Sequence, residues 1–200
     1  MLDGIARRIV QPGLDRAAAL LARRMTADQV TLAGAGFGLL AGGLIAAAWP
    51  GLALLALLAS RIADGLDGAV ARIRGKSDFG GVLDIACDFV FYAAIPLGFV
   101  LADPAGNGVA GAALLAAFYI NAATFLGYAI LAEKRGMQTQ ARGEKSLYFT
   151  AGLMEGTETI GFFVLMCLWP AGFVPLAWVF AGLCLVTAFA RLRLAAKVFG

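Results

Sequence analysis

The chain contains no histidine, little charge and few cysteines, and each shortage excludes a class of site. Without histidine, no imidazole can bind a metal or act as a general base, so carboxylates are the remaining candidates. The three cysteines, Cys87, Cys167 and Cys184, lie in or beside apolar segments, which favours buried packing residues over a disulfide framework. Any metal site would then use hard oxygen ligands, which suit magnesium, manganese or calcium better than zinc.

Apolar residues dominate instead, at 61% of the 200 residues with a mean hydropathy of +0.84. This composition predicts an all-α integral membrane protein with one domain. Six apolar runs come close to the ~20 residues that cross a bilayer as a helix. We place these spans at Val30 to Trp49, Leu52 to Arg72, Gly80 to Leu101, Val109 to Ala132, Leu147 to Trp169 and Phe173 to Ala190.

Residues 1–29 differ from the rest because arginines alternate there with aliphatic residues. Arg7, Arg8, Arg16, Arg23 and Arg24 are spaced among leucine, isoleucine and valine, a pattern typical of an amphipathic helix lying on the membrane surface. We therefore expect a cytosolic surface helix and lead-in over residues 1–29, followed by a six-helix transmembrane domain over residues 30–200.

The basic residues also predict the orientation. All of them except Arg61 lie in the N-terminal arm, in residues 72–76 and 134–145, or in the C-terminal tail. By the positive-inside rule, these segments and both termini of a multi-pass membrane protein face the cytoplasm. Arg61 must then lie within the second span.

Four aspartates stand among these apolar residues. Asp64 and Asp67 share one face of the second span, and Asp84 and Asp88 lie one helical turn apart in the third. A rise of ~1.5 Å per residue along antiparallel helices places Asp64 level with Asp88 and Asp67 close to Asp84. Because charge is costly inside a membrane, this cluster predicts a functional site, a cradle for divalent metal and a diphosphate just below the cytosolic surface.

The spacing of these aspartates matches a known sequence signature. The segment DGLDGAVAR followed by GGVLDIACD resembles the signature of the CDP-alcohol phosphatidyltransferase family, DxxDGxxAR followed by GxxxDxxxD. The eight matching residues are Asp64, Asp67, Gly68, Ala71, Arg72, Gly80, Asp84 and Asp88. The loop between the two halves is one residue shorter than is usual in the family. Within it, the chain is most similar to a bacterial inner-membrane subgroup of uncertain acceptor.

The resemblance implies a reaction. The family transfers a phosphatidyl group from CDP-diacylglycerol to a hydroxyl group and releases CMP, a step of phospholipid biosynthesis. It implies that Asp64, Asp67 and Asp84 bind two divalent ions, Mg²⁺ or Mn²⁺, and that Asp88 completes the second metal site and accepts the proton of the attacking hydroxyl.

The same resemblance implies the substrate-binding residues. Gly68 and Ala71 would leave room for the nucleotide, Arg72 would pair with phosphate, and Gly80 would be a further substrate-binding residue. The competing interpretation of the whole motif is structural, with the aspartates capping helices or pairing with arginines.

Two weaker signals concern the first span and the acceptor. The segment from Thr26 to Thr31 is similar to a cytidine-binding segment of the family, which would make Asp28 and Thr31 substrate-binding residues, but helix capping explains it equally well. Lys145 and Arg191 are candidates to bind an acceptor phosphate, and positive-inside anchoring is their alternative role.

Glu155 and Glu158 are unexpected charges within the fifth span. They would either bind the hydroxyl groups of a polyol acceptor or neutralise Arg61, and we favour the ion pair with Arg61 because a lone buried arginine is costly.

Several expectations complete the prediction. The partners would be CDP-diacylglycerol, a small alcohol such as a glycerol phosphate or another polyol, and the lipid bilayer, with no nucleic acid. The family resemblance implies a homodimer. Two other functions stay open at this point, namely a small transporter that uses intramembrane carboxylates and a catalytically silent family member.

Overall fold

The computed structural model of the chain describes residues 3–137 and 156–200. Seven α-helices account for nearly all of these residues, and the described ranges contain no strand. The helices are α1 (Asp3–Leu21), α2 (Ala27–Ala46), α3 (Pro50–Arg74), α4 (Asp78–Ala102), α5 (Pro104–Lys134), α6 (Gly156–Leu168) and α7 (Phe173–Phe199), with a short 3-10 turn at Pro170–Gly172 before α7. The all-α prediction is confirmed for this part of the chain.

Within the described residues, four helices are long and apolar enough to cross a membrane: α2, α4, α5 and α7. Helix α3 has the length but not the composition, because Arg61, Asp64 and Asp67 lie along its second half. Helix α6 is apolar but is described only from Gly156. The predicted count of six spans therefore stays a prediction for α3 and α6.

Caps explain where the helices begin. Thr26 accepts a hydrogen bond from the backbone of Gln29, whose side chain in turn binds the backbone of Thr26, so α2 starts before the predicted Val30. The side chain of Asp103 accepts a hydrogen bond from Gly106, and Pro104 occupies the first turn of α5, which therefore starts before the predicted Val109. Capping is thus confirmed as a role of Thr26.

Helix α2 packs along both α3 and α4, and glycines make these contacts close. Gly34, Gly38 and Gly42 recur every four residues on α2. A methyl group added at Gly34 would lie 3.1 Å from Cβ of Ala63 on α3, and one added at Gly42 would lie 2.6 Å from the carbonyl oxygen of Ala94 on α4. Small residues at this spacing let helix backbones approach, as in membrane helix pairs generally.

A second group of helices, α5 and α7, joins the first through α4 and α6. Their shared core is aromatic: Phe118 of α5 meets Phe180 of α7 edge to face, with ring centroids 5.0 Å apart. Phe163 of α6 packs against the same two rings. The polar site described next lies among α2, α3 and α4.

Helix α1 lies against α3. Ala18 is fully buried with Ala69 and Val70, and the side chain of Leu14 occupies the space beside Gly65. The predicted N-terminal helix is present, and its position on a membrane surface stays a prediction.

Candidate active site

Three carboxylates converge from two helices. Asp64 of α3 and Asp84 and Asp88 of α4 each offer an oxygen that lies within 4.8 Å of the others. Asp84 is exposed, and Asp64 and Asp88 are half-buried. The sequence prediction that these helices bring their aspartates together is confirmed for this trio.

Asp67 lies deeper and has a different neighbour. Its side chain is 6% exposed, and its Oδ2 accepts a hydrogen bond of 2.7 Å from the hydroxyl of Thr31 on α2. All four aspartates nevertheless line one pocket, with Thr31, Gly34 and Ala35 of α2 contributing to its wall. Thr31 therefore lines this pocket and donates to Asp67, and its predicted role in substrate binding stays a prediction.

Arg61 enters the same pocket from α3, one turn before Asp64. Its Nη1 lies 2.9 Å from Oδ1 of Asp88 and 3.7 Å from Oδ1 of Asp64. The guanidinium carbon stands 3.7 Å from the centre of the Phe91 ring, a cation–π contact.

These contacts add partners that the sequence analysis did not predict. We expected Arg61 to pair with Glu155 or Glu158, and the structure shows ion pairs of Arg61 with Asp88 and Asp64; the pairing with the glutamates stays a prediction. Glu155 lies outside the described residues, and Glu158 lies in the first turn of α6.

Ser60 is a site residue that the sequence analysis missed. It is fully buried, donates a hydrogen bond of 2.8 Å to the carbonyl of Gly34, and accepts one of 3.2 Å from Nη2 of Arg61. Its signal in the sequence is a serine directly before the one arginine of an apolar run. Cys87, taken as a packing residue, also lines the pocket.

The remaining motif residues surround the pocket without lining it. Arg72 pairs with Asp15 of α1 at 3.2 Å, and Gly68 lies beside the Arg72 side chain. The Oδ1 of Asp28 would lie 3.1 Å from a methyl group added at Gly80, so the starts of α2 and α4 meet there. Ala71 accepts a hydrogen bond from Gly75 where α3 ends.

Of the two predicted acceptor residues, Arg191 is described, and it does not line this pocket. Nη1 of Arg191 on α7 binds the backbone and side chain of Asn121 and the hydroxyl of Thr124, all within 3.0 Å. It is not among the residues lining the aspartate pocket. Lys145 lies outside the described residues.

The aspartate trio suits a divalent cation. Its donors are all carboxylate oxygens, which magnesium and manganese prefer, and they lie within 4.8 Å of one another. Asp64, Asp84 and Asp88 would hold such an ion, with Asp67 beside them on the α2 side.

Comparison with known proteins agrees with this site. The family model described as CDP-alcohol phosphatidyltransferase matches residues 22–191, most of the chain. The chain is 45% identical over 192 residues to the inner membrane protein YnjF of Escherichia coli (strain K12), covering 96% of this chain and 93% of that protein.

The fold is similar to that of a solved structure, Mycobacterium tuberculosis phosphatidylinositol phosphate synthase (PgsA1) with CDP-DAG bound. The TM-score is 0.69 at 21% identity, covering 90% of this chain and 92% of the other. With the family model, the relative and the aspartate register in agreement, the chain belongs to the CDP-alcohol phosphatidyltransferase family, and its enzyme activity is that of the family.

Proposed function

We propose that this protein transfers a phosphatidyl group from CDP-diacylglycerol to a hydroxyl group of a small alcohol, in a reaction that depends on Mg²⁺ or Mn²⁺ and releases CMP. The observation that carries the proposal is the convergence of Asp64, Asp84 and Asp88 within 4.8 Å, beside Asp67 and among apolar helices. Four acidic groups at this depth are costly unless cations and a diphosphate use them.

Each aspartate has a task in this proposal. Asp64, Asp67 and Asp84 would bind the divalent ions, and Asp88 would both complete the second metal site and take the proton of the acceptor hydroxyl. The bound ions would neutralise the diphosphate and stabilise the leaving CMP. As the hydroxyl oxygen bonds to the phosphatidyl phosphorus, the bond from that phosphorus to the CMP oxygen breaks, and Asp88 holds the released proton.

Substrate binding is assigned around this centre. The space at Gly68, Ala71 and Gly80 would admit the nucleotide, with Arg72 as a phosphate partner once it leaves Asp15. Asp28 lies close enough to Gly80 to contribute to the same region. Thr31 would act through Asp67, to which it donates its hydrogen bond.

The presence of CDP-DAG in the Mycobacterium tuberculosis structure supports the choice of donor. The acceptor would be a glycerol phosphate or another polyol, with Lys145 and Arg191 as candidates to bind it. Arg191 has a guanidinium fixed by three hydrogen bonds, which suits an anionic group.

The proposal includes the setting of the enzyme. Six helices would span a bacterial inner membrane behind a surface helix in residues 1–29, with both termini and the aspartates on the cytosolic side and two chains forming a homodimer. The name of the Escherichia coli relative, an inner membrane protein, supports the membrane assignment.

The test is release of CMP by purified protein supplied with CDP-diacylglycerol and a panel of alcohols, including glycerol, glycerol 3-phosphate, inositol phosphate and serine. We expect release with at least one acceptor, a matching lipid in the mass spectrum, and loss of both on EDTA treatment with recovery on Mg²⁺ addition. Full turnover in metal-free buffer would reject the metal dependence. No release with any acceptor would favour a silent family member or a transporter.

A further inference from the structure

Arg61 is held more firmly than an incidental counter-ion would be. Its side chain is only 12% exposed, and three different groups fix the guanidinium: Asp88 at 2.9 Å, Ser60 at 3.2 Å and the face of Phe91 at 3.7 Å. Asp88 and Phe91 lie one turn apart on α4, so a single helix presents both the carboxylate and the ring.

Ser60 extends this arrangement to a second helix. Because its hydroxyl donates to the carbonyl of Gly34 on α2, its lone pairs are directed at Nη2 of Arg61. Ser60 is fully buried, so the hydrogen bond is shielded from water. Helices α2, α3 and α4 together therefore set the position of the guanidinium.

The arrangement is not the one that would give most stability. Nε of Arg61 is buried and has no hydrogen-bond partner among the described residues, a cost that well-packed apolar side chains would avoid. Such a cost is typical of a group retained for function rather than for folding.

The contact with Asp88 is made through one oxygen. Oδ1 accepts the hydrogen bond from Arg61, whereas Oδ2 accepts none from the residues that the structure describes. A carboxylate held by one oxygen has its other oxygen fixed in direction. For a base that must meet the proton of a bound alcohol, this orientation determines whether transfer occurs.

We propose that Arg61 is a positioning residue, which holds Asp88 by Oδ1 so that Oδ2 is aligned to receive the proton of the acceptor hydroxyl. The inference rests on the proposed function, because it assigns Arg61 a part in that reaction. The proton moves from the hydroxyl to Oδ2, and Arg61 keeps its own protons throughout.

The test begins with Arg61→Met, which keeps an apolar stem and removes the guanidinium. We expect kcat for CMP release to fall by ~10²-fold, the range of a misaligned general base, while KM for CDP-diacylglycerol stays near that of the parent. Arg74→Met is the matched control: Arg74 lies on the same helix and binds only the carbonyl of Met25 among the described residues, so its loss should leave kcat unchanged.

A second background shows whether Arg61 acts through Asp88. In a protein that already carries Asp88→Asn, the aligned base is absent, so adding Arg61→Met should lower kcat little further. A structural role for Arg61 would instead reduce activity by the same factor in both backgrounds, and that result would overturn the proposal.

Arg61→Lys covers the case in which Arg61→Met does not fold. A lysine ammonium cannot reach both Ser60 and Asp88 as the guanidinium fork does, so we expect Arg61→Lys to lower kcat below that of the parent. In the protein that already carries Asp88→Asn, adding Arg61→Lys should leave kcat unchanged. An unchanged kcat in either folded Arg61 variant, or a change confined to the KM for CDP-diacylglycerol, would overturn the inference. If the parent itself releases no CMP with any acceptor, the proposed function is wrong. That result comes from the parent alone and is therefore distinguishable from failure of the inference about Arg61.

Discussion

The four aspartates are chemically identical, but their surroundings give them different properties. Asp67 is buried under the hydroxyl of Thr31, Asp88 is held by Arg61, and Asp84 is exposed at the mouth of the cluster. We therefore expect substitutions at these positions to have different consequences rather than one shared loss of activity.

Asp88→Asn should separate chemistry from binding. The amide cannot accept the acceptor's proton, whereas the proposed metal ligands Asp64, Asp67 and Asp84 remain. Transfer should therefore fall by ~10²-fold or more with CDP-diacylglycerol binding largely kept. Turnover and equilibrium binding of the donor lipid measure the two effects. Asp78→Asn, an exposed acid in the first turn of the same helix, is the control and should match the parent. Parent-like transfer by Asp88→Asn would remove the base from the proposal.

Thr31→Val should affect stability through Asp67. Valine matches threonine in shape but cannot donate the 2.7 Å hydrogen bond, so a buried carboxylate would lose its partner at a cost of ~1–3 kcal/mol. Thermal unfolding in metal-free buffer measures this cost. Thr31→Ser keeps the hydroxyl and should lose less. Equal melting temperatures for the two variants would show that the hydrogen bond contributes little.

At these positions the sequence predicts how far along its helix a side chain lies better than it predicts which neighbour the side chain faces. The rise of a helix is enough to bring Asp64 level with Asp88, and both touch Arg61. The pairing of Arg61 with Asp64 and Asp88 could not be predicted this way, because Glu155 and Glu158 also offered carboxylates within a membrane span. Choosing among carboxylates at one level requires the rotation of each helix about its axis, which α2 sets by packing against α3 and α4.

Helix α2 lies close to both α3 and α4. A methyl group added at Gly98 of α4 would lie 2.5 Å from the carbonyl oxygen of Gly42, and one added at Gly38 would lie 3.0 Å from the ring of Phe91. The ring of Phe91 in turn contacts the guanidinium of Arg61. The distance between α2 and α4 therefore bears directly on the geometry of the site.

Gly42→Ala tests this contact. Its new methyl group would meet the backbone of Ala94 at 2.6 Å, and relieving that overlap should cost ~1–3 kcal/mol. Gly43→Ala is the neighbouring control, because nothing lies within 4 Å of its added methyl group and alanine favours a helix. Melting temperatures of the two purified variants should differ, with Gly42→Ala lower. Equal values would mean that α2 and α4 separate easily.

Helix existence was predictable, and helix ends were less so. Apolar runs identify α2, α4, α5 and α7, since each is long and hydrophobic. Their first residues depend on single capping side chains such as Thr26 and Asp103. Because of these caps, α2 and α5 begin at earlier residues than hydropathy indicates. Small-residue spacing at Gly34, Gly38 and Gly42 was a readable signal for the α2 contacts.

For the whole molecule, charge distribution predicts an orientation that can be measured. Residue 76 lies in the turn between α3 and α4, and residue 105 lies at the start of α5, so the two positions flank opposite ends of α4. Both side chains are exposed. By the positive-inside rule, the first faces the cytoplasm and the second the opposite side.

Single cysteines at these positions test the orientation. In a protein with Cys87, Cys167 and Cys184 replaced by serine, Ala105→Cys should react with a membrane-impermeant maleimide in intact spheroplasts. Lys76→Cys should react only after the membrane is permeabilised. The reverse pattern would place the aspartates on the outer side and contradict a cytosolic site. Labelling of both without permeabilisation would signal leaky spheroplasts, which a cytosolic marker protein detects.

Helix α1 and the end of α7 limit how far the protein can be shortened. The family match begins at residue 22, after α1 has ended at Leu21, and it stops at residue 191, before Val198 and Phe199 accept hydrogen bonds from Arg135. A shortened protein cut to those limits would uncover Ala69 and Val70, release Arg72 from Asp15, and leave Arg135 without its acceptors. The range that matches the family model, residues 22–191, is thus shorter than the range whose residues pack together. A protein made for experiments should therefore keep α1 and the C-terminal end of α7.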